Sequence, residues 1–468
     1  MMSGSDVLRL TSRVRRCASV AVCLACLAAS AACELTVNDG PTGDGGSGGD
    51  GGSTGEGGSG GDGGSTGEGG SGGDGDLEWA RGAGGPGTDE GRGIASDAAG
   101  NLYITGFFSG TVDFGDGPLT SDGQEDIFLV KLDPSGTLLW SKRFGSGLSE
   151  KGHAVAVDGS GNIVLSGSYT GGLGAATVDF GGGPLDNSDT YGLVFAVKLD
   201  PHGEHLWSRG SIAPPSWDYF ADVGTHQLAV DPLGNIHVAV FAYQRSLMSV
   251  VKLDPAGQLL WNREIPGGGD LGTRSSLALD SAGNVLATRE SIASSPATGF
   301  DARRFAVSKL DPAGEVLWSR LIGPEVFDPE DPGAIALAVA VNAADEVLVA
   351  GHTHGVTDFG GGAPPAGPVL VKLDANGEHV FSRSIPFEDR IAVDGDGNIL
   401  VAGRGVAKLD PSGEPQWARH FDAPVYGLAV SPLGTIAVTG AAFAAVDFGA
   451  GPIAHAGGFD VFVATFRP

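Results

Sequence analysis

Oxygen- and nitrogen-bearing side chains at short spacing are what could give this chain chemistry. Asp394-Gly395-Asp396-Gly397-Asn398 sets three oxygen ligands at alternate positions, as a calcium loop would. The rest of such a loop is missing. Ile399 stands where a helix-loop calcium site needs glycine, and Lys408 and Leu409 lie near the place of the distant bidentate glutamate. Similar phrases recur along the chain as plain turn signals, so a turn is the expected reading. His352-Thr353-His354 would put two imidazoles on one face of an extended strand, but no third ligand is recognisable. Asp-Phe-Gly occurs at Asp113, Asp179, Asp358 and Asp447 without the surroundings of a kinase, and reads as a repeated turn element. The sequence contains no Gly-x-Ser-x-Gly, no Walker loop and no paired carboxylates at convincing spacing. No catalytic residue, cofactor or metal site is therefore expected.

What would position any functional group is a repeat. The phrase Lys131-Leu132-Asp133-Pro134-Ser135-Gly136-Thr137-Leu138-Leu139-Trp140 returns in variants beginning at Lys198, Lys252, Lys309, Lys372 and Lys408. Each copy is preceded by an apolar-Asp-x-x-Gly-Asn phrase and a short apolar run. In the first copy, Gly93 to Asp97 reads as a strand and Asp97-Ala98-Ala99-Gly100 as a turn. Asp suits the first turn position, and Gly the fourth, where a left-handed backbone closes the hairpin. Asn101 to Gly106 returns as a second strand, a variable loop follows, and Asp126 to Asp133 is the third. Asp133-Pro134-Ser135-Gly136 repeats the turn chemistry with Pro fixing φ, and Thr137 to Phe144 is the fourth strand.

The first turn falls at Asp97, Asp158, Asp231, Asp280, Asn342, Asp394 and Ser431. That predicts an all-β, seven-bladed β-propeller with four antiparallel strands per blade, in residues 77–468 at about 56 per blade. The last blade has no fourth strand after Phe459 to Phe466, whereas Leu77-Glu78-Trp79-Ala80-Arg81 stands alone ahead of the first. Pairing these two segments would close the ring and remove a sheet edge. Trp79, Trp140, Trp207, Trp261, Trp318, Phe381 and Trp417 share one register in the fourth strands, as blade-on-blade packing requires. Trp217, in the irregular Ala213 to Tyr219 loop, falls outside that pattern and is the candidate binding aromatic. Length varies most between second and third strands, and in the sixth blade only Arg404-Gly405 makes that connection. An evolved surface belongs on that face or rim.

The first 33 residues read as an export signal. Arg9, Arg13, Arg15 and Arg16 precede the small apolar run Ala18 to Ala32, and Cys33 follows. All four cysteines lie in this segment, so the remainder has no disulfide or thiolate metal site. Residues 34–76 contain a glycine-rich tract of period twelve from Gly40, a flexible acidic tether spanning roughly 35 Å. It lacks the apolar positions of a calcium-binding β-roll. Four arginines against ten acidic groups in residues 1–76 leave −22 of the chain's −28 on the remainder. That charge argues against nucleic acid, and against an anionic membrane surface except through lipid.

The N-terminal segment resembles a bacterial lipoprotein signal, which implies that Cys33 is acylated. Ser30 departs from that pattern, and Ala29 and Ala31 offer ordinary cleavage after Ala31 as the alternative. Ala156 to Gly167 and Phe195 to Pro201 resemble the bacterial SBBP-type β-propeller repeat, a likeness specific for fold and nearly silent on activity. Asp133 to Trp140 also resembles the Trp-docking motif of quinoprotein propellers, but no cysteine pair is available for a quinone site. The expected protein is a monomeric, non-catalytic binding or scaffold module at the bacterial cell envelope, with a surface protein or glycan as partner. It would be an outer-membrane or surface lipoprotein, or alternatively secreted or periplasmic. The alternatives in function are a propeller enzyme, quinoprotein-like oxidoreductase or glycan lyase or hydrolase, and an envelope-assembly scaffold. An enzyme would gather His, Arg and carboxylates at the central channel; a scaffold would show an apolar or aromatic rim near Pro214 to Tyr219.

Overall fold

The computed structural model describes residues 73–170, 177–185, 193–212, 223–242, 247–265, 275–294, 301–322, 333–354, 357–362 and 364–468. The described regular structure is all strand, in seven four-stranded antiparallel sheets. The first blade comprises Asp89–Ser96, Leu102–Phe108, Asp126–Leu132 and Leu138–Phe144. Its first strand begins earlier than the turn signals suggest, because a bulge at Arg92 lets pairing continue back to Asp89. The variable loop of this blade holds a small hairpin, Thr111–Asp113 with Pro118–Thr120.

The two middle strands of a blade are covered by sheets on both sides, so they read as nearly unbroken apolar runs: every residue of Leu102–Phe108 and of Leu193–Leu199 is buried. The outermost strands, such as Leu138–Phe144, are only partly covered. The core is accordingly seven apolar layers, one per blade boundary, instead of a single centre. First strands of successive blades abut in a closed cycle.

Closure occurs as the sequence predicts. Leu77–Ala83 pairs antiparallel with Asp460–Phe466, with Leu77 opposite Phe466 and Ala83 opposite Val461. The 73–76 segment completes the turn that the last blade would otherwise lack. In an ordinary blade Asp133 N donates to Thr137 O and Gly136 N to Asp133 O. Here Arg467 N donates to Asp76 O and Gly75 N to Arg467 O, so two remote pieces of chain rebuild one turn. Gly75 takes the left-handed φ of 76° that Gly136 takes at 80°.

The recurring residues now have distinct jobs. Asp133 Oδ1 accepts the backbone N–H groups of Ser135 and Thr137, holding the second turn. The fourth-strand aromatic reaches across to that turn in the next blade. Nε1 of Trp79, Trp207, Trp261 and Trp318 donates to the carbonyl of Pro134, Pro255, Pro312 and Ala375 at 3.0–3.2 Å. A Cβ on Gly136 would come within 2.7 Å of the Trp79 ring and one on Gly257 within 2.8 Å of Trp207. The tryptophans thus dock on turn glycines at the edge of each boundary and stay part-exposed. Trp417 docks on Gly75, at the rebuilt turn, and its Nε1 has no hydrogen-bond partner among the described residues.

Lysine is the least expected member. Lys198, Lys309 and Lys408 are buried, each bonded to the first-turn aspartate of its own blade, Asp158, Asp280 and Asp394, at 2.8–3.0 Å. Lys372 pairs with Glu346 at 2.6 Å in the blade whose turn begins with Asn342. The seventh blade replaces the pair with Ser431 and Thr465, both buried. All these turns lie at one end of the strands, which we call the turn face; the variable connections lie at the other, the loop face.

Candidate functional site

The sequence candidates divide cleanly. Cys33 and Trp217 lie outside the described residues. Asp394 is spent on structure: its Oδ1 accepts the N–H groups of Asp396 and Asn398, and its Oδ2 takes Asn398 Nδ2 and Lys408 Nζ. Burial alone would raise its pKa, but the Asn398 and Lys408 contacts outweigh it and hold the carboxyl below its ordinary range. The turn reading therefore stands. Asp-Phe-Gly is a turn as well. Asp113, Asp179, Asp358 and Asp447 each accept two backbone N–H groups from the glycines that follow. The adjoining phenylalanines pack inward, Phe114 on Phe128 and Phe448 on Phe462 at centroid distances of 4.9 and 5.1 Å.

His352 and His354 share a side, as the extended-strand argument requires, with ring centroids 4.9 Å apart. They line a cavity of about 720 Å³ on the loop face across the fourth, fifth and sixth blades. Among the described residues no cluster of three His, Cys, Asp or Glu fits a metal ion.

Unequal blades make this cavity. In the fourth blade the middle strands Val285–Ser294 and Asp301–Leu310 are ten residues each and form a tall wall. In the sixth, Ile399–Ala402 and Gly405–Leu409 are four and five residues, joined by the minimal Gly403-Arg404 link. The sixth blade has no Asp-Phe-Gly hairpin over this end, and Phe387 lies against Gly405 instead. A notch is left between a tall neighbour and a short one. Its floor includes Leu337, which a bulge between Ala336 and Ala338 turns out of the strand register.

Charged and imidazole groups ring the notch. From the fourth blade come Glu290 and Arg303, paired at 3.0 Å. His352 Nδ1 lies 3.2 Å from Oε1 of Glu388, in the connection that enters the sixth blade. A carboxylate against one imidazole nitrogen fixes the ring and its tautomer. His354 is held below the usual histidine pKa, first by burial and then by the neighbouring His352 and the Arg303 guanidinium. On the far side His420 packs on Phe387 at 4.8 Å, and Arg404 pairs with exposed Asp422 at 2.8 Å. Sequence reasoning reached only the two strand histidines. Of the other groups, Glu290, Arg303 and His420 lie on strands and Glu388 and Arg404 on connections, at positions without a repeat signature, and the one advance sign was the shortened sixth-blade hairpin.

A second polar group sits nearer the ring axis. Bulge residue Arg92 lies over Tyr426 at 4.5 Å and Phe107 at 5.4 Å, and Arg390 Nε donates to Tyr426 O at 2.6 Å. These contacts tie the first, sixth and seventh blades together at their innermost strands.

Fold and site together define a seven-bladed β-propeller with a polar notch on its loop face. Residues 78–106 match the family model described as SBBP, beta-propeller repeat, so the chain carries the repeat it resembles in sequence. An uncharacterized WD repeat-containing protein of Acanthamoeba polyphaga mimivirus is 27% identical over 126 residues, covering 25% of this chain and 9% of that protein. Among solved structures, a protein of unknown function from Dyadobacter fermentans is similar at 12% identity and a TM-score of 0.42, covering 67% of this chain and 93% of that one. BamB from Moraxella catarrhalis is similar at 13% identity and 0.38, covering 81% and 84%. A calcium-binding protein, regucalcin, from Agrobacterium tumefaciens is similar at 12% and 0.35, covering 67% and 81%. Likeness at these levels carries no argument about ligand or location. No described helix is long and apolar enough to cross a membrane.

Proposed function

We propose that this chain is an exported, lipid-anchored binding module of the bacterial cell envelope, non-catalytic, with its ligand site in the loop-face notch. The observation that carries the reading is the notch itself, a roomy concave site where donors and acceptors converge over a partly apolar floor. The 73–76 segment joins the ring on the turn face, beside Trp417 and Arg467, at the opposite end of the strands from the notch. A surface glycan or protein is the partner we assign to the notch.

The enzyme reading is favoured by one observation, the His352–Glu388 pair, since a carboxylate-held imidazole is also how a general base is oriented. Two experiments test the proposal. The full chain is melted with calcium, a chelator, a redox quinone and cell-wall and surface glycans. A ligand at a hundred times its dissociation constant adds roughly 2.7 kcal/mol and raises the midpoint. Turnover of any panel member overturns the non-catalytic reading, and a flat panel removes the small-molecule and glycan arm in favour of a protein partner. Cell fractionation of Cys33→Ser, expected to shift the protein from membrane to soluble fraction, tests the anchor; an unchanged distribution overturns it.

A further inference from the structure

We propose that the loop-face notch binds an acidic saccharide, one with a single carboxylate or sulfate per sugar ring, through Arg303 and Arg404 on its two walls. The inference rests on the binding reading above and names its ligand class. The chain carries a formal charge of −28, yet the lining of this one cavity holds two arginines and three of the ten histidines. Long-range attraction does not account for them, because the acidic body repels an anion from a distance. They are there for something at contact range.

The lining carboxylates are placed as partners for those bases. Glu290 takes Arg303 at 3.0 Å and Glu388 takes His352 at 3.2 Å, which orients the donors and leaves further N–H directions on each guanidinium. Arg303 and Arg404 are 42% and 64% exposed in their side chains and open to a ligand. Arginine's fork suits a carboxylate or sulfate oxygen pair.

The same carboxylates limit the charge density of the ligand. With neutral imidazoles the lining is net negative by one, so a phosphate-dense ligand would meet Glu290, Glu388 and Asp389 at close quarters. A saccharide with isolated charges avoids that. Its hydroxyls match the remaining donors and acceptors, and its C–H faces match the half-buried Ile335 and Pro386 of the lining.

The test is calorimetric titration of the full chain with tetragalacturonate, its fully methyl-esterified form and neutral galactotetraose. The free acid is expected to bind about tenfold tighter than either neutral probe, a difference of about 1.4 kcal/mol. Arg404→Gln, with unchanged melting temperature, and, independently, Arg303→Gln should each erase most of that advantage, while Lys142→Gln on the far face changes nothing. Equal binding of acid and ester, lost in both notch variants, overturns the acidic-ligand inference and leaves the notch as a binding site. Binding that ignores both variants overturns the site itself. Absence of binding by all three probes overturns the inference, and the melting panel then decides the broader reading.

Discussion

The two faces of the propeller are built on opposite terms. On the turn face the blades share one solution, an aspartate turn, a lysine paired to it and an aromatic docked on the neighbour's glycine, varied only by Asn342 with Glu346 in the fifth blade and Ser431 with Thr465 in the seventh. On the loop face the first, second, fifth and seventh blades carry the Asp-Phe-Gly turn and the others do not, and middle strands run from ten residues in the fourth blade to four and five in the sixth. The stabilising contacts are repeated while the loop face is varied, and substitutions on the two faces should separate accordingly.

The largest effect is expected at the seam. Removing residues 73–83 deletes a strand and the rebuilt turn, baring the edge of Asp460–Phe466 and the dock of Trp417. An open ring of this kind should aggregate and lose its cooperative melt, as read by calorimetry and size-exclusion chromatography. A shortened protein that melts like the full chain would mean that closure contributes little.

Next comes the buried ion pair. Lys198→Thr leaves Asp158 charged and buried with neutral donors alone, which should cost about 3 kcal/mol. The seventh blade shows a neutral substitute, Ser431 and Thr465, with Ser431 Oγ accepting the N–H groups of Leu433 and Thr435. Asp158→Ser added to Lys198→Thr copies that pair, and the double variant should be more stable than the single. Denaturant unfolding that finds the double variant worse would show that the carboxylate holds the turn by more than its charge pairing.

This contrast also explains what the sequence made legible. Asp97, Gly100, Asp133, Gly136 and Trp140 act within one blade or its neighbour at fixed offsets, so their spacing carries their geometry. Even the seam was readable, because Trp79 bears the register mark of a fourth strand. The notch was not. Arg303 lies on the third strand of the fourth blade, Glu388 on the connection into the sixth and His420 at the end of the sixth blade's fourth strand, and only the ring brings them together. His352 and His354 were visible as a pair, since two residues apart on a strand is itself a geometric statement. Lys198 and its equivalents were visible as text but not as buried charges, because periodicity alone does not say that a lysine points into a blade boundary.

The last prediction separates one turn from the other six. In the third blade His237 is fully buried 3.5 Å from Asp231 and edge-on to Trp261, and Lys252 stands off at 3.7 Å from the same carboxylate. Burial, helped by Lys252, pushes the imidazole pKa down to about 4 from its ordinary 6.5. The unfolded chain therefore takes up a proton as pH falls through 6.5 while the folded chain declines it until about 4, so stability drops across that window by roughly 3 kcal/mol. Asp89 opposes this: burial raises it to about 6, so the folded state gains a proton first and stability rises on the way down. The two trends mask each other in the whole protein, and the difference between variants isolates one. His237→Phe keeps an aromatic ring against Trp261 and cannot titrate. Its unfolding free energy relative to the parent should be constant above pH 7 and climb steadily in its favour toward pH 4. A flat difference across that range would mean that His237 is protonated in the folded ring, with Asp231 as its counter-ion.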